Sequence, residues 1–154
     1  MEIQQDVIKM RGSLELVLRG PQGDVVRQWK ENTVVTVGRV WILKQLESVD
    51  IVTSLTISNI EIGSSTIAPT TADTALGAAV TRRAISSFDT SQLTANPPFW
   101  QAQVSYATNE ANTTLAEAGM FNSTAAGTMI AHATYASFVK ATSNTLSISW
   151  NLSN

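Results

Sequence analysis

Trp100-Gln101-Ala102-Gln103-Val104-Ser105-Tyr106 alternates apolar and polar side chains without a break. A two-residue period puts Trp100, Ala102, Val104 and Tyr106 on one face of an extended chain and the glutamines and serine on the other. That is the pattern of a half-buried strand. The same alternation closes the chain, where Leu146, Ile148, Trp150 and Leu152 alternate with Ser147, Ser149 and Asn151. It recurs at Met129, Ala131, Ala133 and Tyr135, with His132 and Thr134 on the opposite phase. The C-terminus is therefore read as a strand.

Further strands are predicted on both sides of these. Ser13 to Leu18 and Val25 to Trp29 flank Arg19-Gly20-Pro21-Gln22-Gly23-Asp24, a cluster of turn formers, and together read as a hairpin. Leu55, Ile57, Ile60 and Ile62 form a β-branched run ending at Gly63. Thr66 to Ala79 reads as an extended surface loop, and Arg83 to Phe88 as a strand. Asn96-Pro97-Pro98 excludes a central strand. Leu115 to Phe121 is a strand with a bulge or close backbone approach at Gly119, and Ala126-Gly127 is a turn. One segment breaks the pattern. From Thr36 to Leu46, Val37, Val40 and Trp41 fall at helical spacing, so a helix near 36–47 is expected, its stripe of Val37, Val40, Trp41 and Ile42 covering one end or face of a sheet. Seven or eight short strands and one helix predict a mainly β protein, an antiparallel sandwich or jelly-roll-like barrel. Residues 12–154 form a single sandwich domain, and residues 1–11 an extended N-terminal arm.

Composition bounds the function. In 154 residues, 44% are hydrophobic and 14% charged, against roughly 25% charged in an average soluble domain, and the net charge is -2. A surface built of Ser, Thr, Asn, Gln and Ala has little self-repulsion and suits packing against neighbours. It lacks the basic footprint of a nucleic-acid partner. No apolar run reaches membrane-spanning length, no signal-peptide core precedes residue 12, and the absence of cysteine removes disulfides and thiolate chemistry.

No catalytic, cofactor-binding or metal site is expected. His132 is the sole histidine, and its phase places it on the polar, outward side of its strand. The carboxylates are scattered, mostly in turns, with Glu117 the exception, set in Leu115-Ala116-Glu117-Ala118-Gly119. A carboxylate there is read as a structural acceptor of backbone or arginine hydrogen bonds, with Arg82 or Arg83 the candidate partner. Trp29, Trp41, Trp100 and Trp150 all lie on apolar phases and read as core. Trp41 and Trp150 are assigned structural roles, and a sugar-binding platform would need two tryptophans exposed in one groove. The arm carries Ile3, Val7, Ile8 and Met10, apolar residues assigned to assembly contacts.

The ordered series of motifs resembles a known group. It comprises Gly12 to Leu18 with Gly23 in the turn, Glu31-Asn32-Thr33-Val34-Val35-Thr36-Val37-Gly38 and Ile57 to Gly63. Ala68-Pro69-Thr70-Thr71-Ala72-Asp73-Thr74-Ala75-Leu76-Gly77 with Arg82 follows, then Glu117-Ala118-Gly119-Met120-Phe121, Gly127 to Ala131 and Leu146 to Trp150. In this order they resemble the tailed-phage virion proteins, a family of capsid decoration (cement) proteins related to head-fibre, tail-fibre and baseplate modules. The resemblance implies a structural, non-enzymatic virion protein made in the host cytoplasm. It implies a place on the capsid surface bridging copies of the major capsid protein, as a homo-oligomer with a trimer favoured. A tail-fibre, head-fibre or baseplate component is the alternative. The small size of the chain favours cement.

Overall fold

The computed structural model describes residues 10–47, 56–94 and 98–153. Ten strands are found among them, in two five-stranded antiparallel sheets. β1 (Arg11–Gly20) and β2 (Gly23–Glu31) form the predicted hairpin, followed by β3 (Thr33–Val34) and helix α1 (Thr36–Glu47). Then come β4 (Asn59–Gly63), β5 (Ala79–Ala84), β6 (Ser87–Asp89), a short 3-10 turn (Ser91–Thr94), β7 (Phe99–Tyr106), β8 (Thr114–Phe121), β9 (Met129–Val139) and β10 (Thr145–Ser153). The first sheet runs β2-β1-β10-β7-β6 and the second β3-β9-β8-β4-β5. The expected sandwich with one short helix is what folds. The strands beyond the expected count are β3 and β6, two and three residues long, too short to print a periodicity on the sequence.

Register explains why the alternating segments matter. Leu16, Ile148 and Val104 are direct partners across β1, β10 and β7; so are Leu14, Trp150 and Ala102, and Leu18, Leu146 and Tyr106. Each row points inward and is buried. The second sheet answers with Ile60, Met120 and Ala131, and with Ile62, Ala118 and Ala133, in one shared core. The Tyr106 hydroxyl crosses between the layers and donates to the Ile60 carbonyl at 2.8 Å. β10 lies in the middle of its sheet, between β1 and β7, so the first sheet joins strands that are far apart in sequence.

The chain changes sheets four times, and two of the crossings are tight corners. One is Asn32, between β2 and β3; its Oδ1 accepts from the buried Trp150 Nε1 at 3.1 Å. The other is Ile85-Ser86, where the Ile85 amide donates to Ser58 O in the second layer and the Ser86 amide to Gln103 O in the first. The single strand expected over Arg83 to Phe88 is therefore two strands in different sheets, split because the backbone must turn between layers.

Helix α1 begins where expected but is anchored more narrowly. Trp41 and Ile42 pack on the core, whereas Val37 and Val40 of the expected stripe face solvent together with Leu43. The helix lies too close to β9 for a broad stripe to be covered: a Cβ on Gly38 would stand 2.4 Å from the Ile130 carbonyl oxygen.

Candidate functional site

The densest polar cluster lies on the outer face of the second sheet, under residues 64–78, which cross that face as a strap. Its hub is Glu117, in β8 beside a register shift against β9. Glu117 is fully buried. Its Oε1 accepts from the Ala78 amide at 2.7 Å and the Ser65 amide at 3.2 Å, and its Oε2 accepts from the Gly77 amide at 3.0 Å. Neither arginine proposed from the sequence reaches it. Arg82 pairs with Glu61 at 3.0 Å and Arg83 with Glu110. The strap supplies the partners instead, because three amides leaving a strand end converge on one carboxylate.

The fourth partner of Glu117 is His132. The expectation that His132 sits on the surface is overturned: it is buried, with Nε2 3.0 Å from Glu117 Oε2 and Nδ1 2.7 Å from Asp73 Oδ2. Its phase does point away from the inner core, but the strap covers that face. Leu76 from the strap packs with Val35, Phe121 and Met129 in a second apolar cluster outside the sheet. Gly119, the register partner of His132, leaves room for this, since a Cβ there would stand 2.9 Å from the Leu76 side chain.

Asp73 itself closes a turn. The Thr70 hydroxyl donates to its Oδ1 at 2.7 Å and the Thr70 amide to its Oδ2 at 2.9 Å. Burial works to raise the Asp73 carboxyl, but the Thr70 hydrogen bonds and the neighbouring imidazole outweigh it and hold the group below the ordinary aspartate value. Both ring nitrogens of His132 therefore face carboxylate oxygens. Carboxylates occupy both nitrogens, and among the described residues no serine hydroxyl is bonded to the ring. Nor do its carboxylates converge on one point, since they flank opposite ring nitrogens; no metal-holding group of His, Asp and Glu occurs among the described residues. What the cluster does is tie the strap to β8 and β9.

Two further polar anchors organise loops. Arg82, besides its ion pair with Glu61, donates to the carbonyls of Ala126 at 2.6 Å and Ser123 at 3.2 Å, with its guanidinium 3.7 Å over the Phe121 ring. It thereby holds the turn in which Ala126 and Gly127 adopt positive φ of 54° and 80°. Lys140, unremarked in the sequence reading, is buried. Its Nζ donates to Ala107 O at 2.7 Å and Asn112 Oδ1 at 3.0 Å, and burial draws its ammonium below the ordinary lysine value.

The tryptophans part company. Trp150 is fully buried, Trp41 and Trp100 are partly buried, and Trp29, expected in the core, is 60% exposed. It belongs to β2, an edge strand, opposite Glu15 on the outward face. Trp41 and Trp100 line an apolar groove of about 550 Å³ with Met10, Ile42, Phe88 and Leu152. Trp29 lines a separate cleft of about 560 Å³ at the Asn32 corner. The assembly residues Ile3, Val7 and Ile8 lie outside the described residues; Met10 borders both the groove and the cleft. No described helix is long and apolar enough to cross a membrane.

Comparisons with protein-family models, with curated proteins and with solved structures find no match to this chain.

Proposed function

We propose that this chain is a structural virion protein of a tailed bacteriophage, a capsid decoration protein that stabilises the head by bridging copies of the capsid protein. The motif series of the sequence supplies the setting. The observation that carries the assembly reading is the placement of large apolar side chains on separate surfaces of a weakly charged sandwich. Ile67 on the strap is 74% exposed and Val139 at the end of β9 is 64% exposed, and Leu43 on α1 and Val25 on β2 are exposed as well. Scattered apolar contacts on several faces suit a subunit touching several neighbours, since small contacts repeated over a particle add. The polar clusters fit the same role: the histidine and the buried acid are committed to holding a strap.

Copy number tests the reading. Quantitative mass spectrometry of purified particles should find hundreds of copies, near the number of the major capsid protein. A few to tens of copies would place the chain in a tail, head fibre or baseplate and overturn the cement role. Deleting Met1 to Met10 should leave the sandwich folded and abolish capsid attachment; undiminished attachment would refute the arm's part in it.

A further inference from the structure

The cleft at the Asn32 corner holds features that folding does not require. Six arginines occur in the chain. Arg19, Arg27, Arg82 and Arg83 each pair with a carboxylate. Arg11 and Arg39 have no ion pair among the described residues, and both line this cleft, brought there by the start of β1 and the first turns of α1. Trp29 lines the same cleft and is exposed, although the other tryptophans are packed. Glu31, Ser13 and Asn32 complete the polar wall. The Asn32 Oδ1 is committed to Trp150, which fixes the amide, and its Nδ2 has no hydrogen-bond partner among the described residues.

We propose that this cleft binds a carboxylate-bearing saccharide residue of the uronic or sialic acid type. A guanidinium presents a planar fork of donors that matches a carboxylate, and two forks without an ion pair among the described residues line the cleft. An exposed indole offers a flat, electron-rich face to the C–H groups of a pyranose ring. Glu31 decides between acidic ligands. A phosphodiester would set an anion against that carboxylate with no hydroxyl to donate to it, and an acidic peptide would bring further carboxylates with only backbone amides as donors, whereas a sugar acid pairs one carboxylate with several hydroxyls that can donate to Glu31 and bond Ser13. The volume, about 560 Å³, lies in the small-ligand range and, with a single aromatic wall, fits one or two rings at a chain end. An extended two-tryptophan platform is absent from this cleft. This binding role is independent of the decoration reading.

The test titrates the full-length protein with oligosaccharides ending in glucuronic acid and in sialic acid, with the neutral glucose-ended counterpart, and with a short aspartate-rich peptide. Calorimetry and the indole N–H resonance of Trp29 are the readouts. Saturable binding of at least one acidic saccharide is expected, about tenfold or more tighter than the neutral one. Arg39→Ala, Arg11→Ala and Trp29→Ala should each weaken it by a similar factor with the melting temperature unchanged, because all three side chains are exposed. Failure of both acidic saccharides to bind, equal binding of the neutral one, tighter binding of the peptide, or binding unaffected by all three substitutions would each overturn the proposal.

Discussion

His132 Nε2 lies 3.0 Å from Glu117 Oε2, and this contact joins β9 to β8, the central strand of the second sheet, beneath the 64–78 strap. Glu117 accepts from three strap amides, those of Ser65, Gly77 and Ala78.

Glu117→Ala should therefore destabilise the protein by about 3–5 kcal/mol, since the buried imidazole and three amides lose their acceptor together. Equilibrium urea unfolding measures it. A loss below about 1 kcal/mol would mean that water replaces the carboxylate and that the strap is not held by it.

Acid should loosen the strap through Asp73. Its carboxyl is held below the ordinary value of 3.8, so the folded state favours the ionised form. The resulting stability is fully present above that value and is lost as pH falls through the lower, folded one. Asp73→Asn should flatten this acid limb of the stability profile, read as melting temperature against pH. An unchanged limb would assign acid sensitivity to other carboxylates.

Tyr106 sets the opposite limit. Burial first, then the nearby Tyr135 and Glu61, push its phenol well above the ordinary 10.0, so the folded state favours the neutral form that donates to Ile60. That contribution is intact below the ordinary value and disappears as pH rises beyond it. Tyr106→Phe should cost about 1 kcal/mol at neutral pH and make the alkaline limb shallower. An equally steep limb in the variant would place the alkaline transition elsewhere.

Gln28 guards a sheet edge. Its side-chain amide donates to the Ala136 carbonyl at 2.8 Å and accepts from the Ala136 amide at 3.0 Å, so it occupies the β9 edge as a neighbouring strand would. β3 pairs with only two residues of β9, leaving the rest of that edge open to such a plug. Gln28→Ala should speed aggregation at fixed protein concentration, followed by light scattering, because an uncovered edge templates pairing. No change in rate would show that β2 shields the edge by itself.

The two-sheet fold was legible in local pattern because alternation is a property of neighbouring residues. Trp100 to Tyr106 and Leu146 to Leu152 could bury one face only as strands, and the hairpin and helix announced themselves through turn formers and spacing. The same locality explains the misreadings. The phase of His132 points to the surface because phase tells which side of a strand a residue occupies but not what covers that side. Only the strap, whose Asp73 lies 59 residues away in sequence, turns an outward position into a buried one. Arg82 and Arg83 were fitting partners for Glu117 by charge, yet their register beside β4 gives Arg82 to Glu61, and the strap's amides claim Glu117 first. Trp29 looked like core because hydrophobicity does not record that β2 is an edge strand. The sequence by itself determined which segments are strands and that their apolar faces must meet. The tertiary structure alone decided which polar groups meet and which apolar faces stay bare, because those outcomes depend on contacts between segments with no local signal to link them.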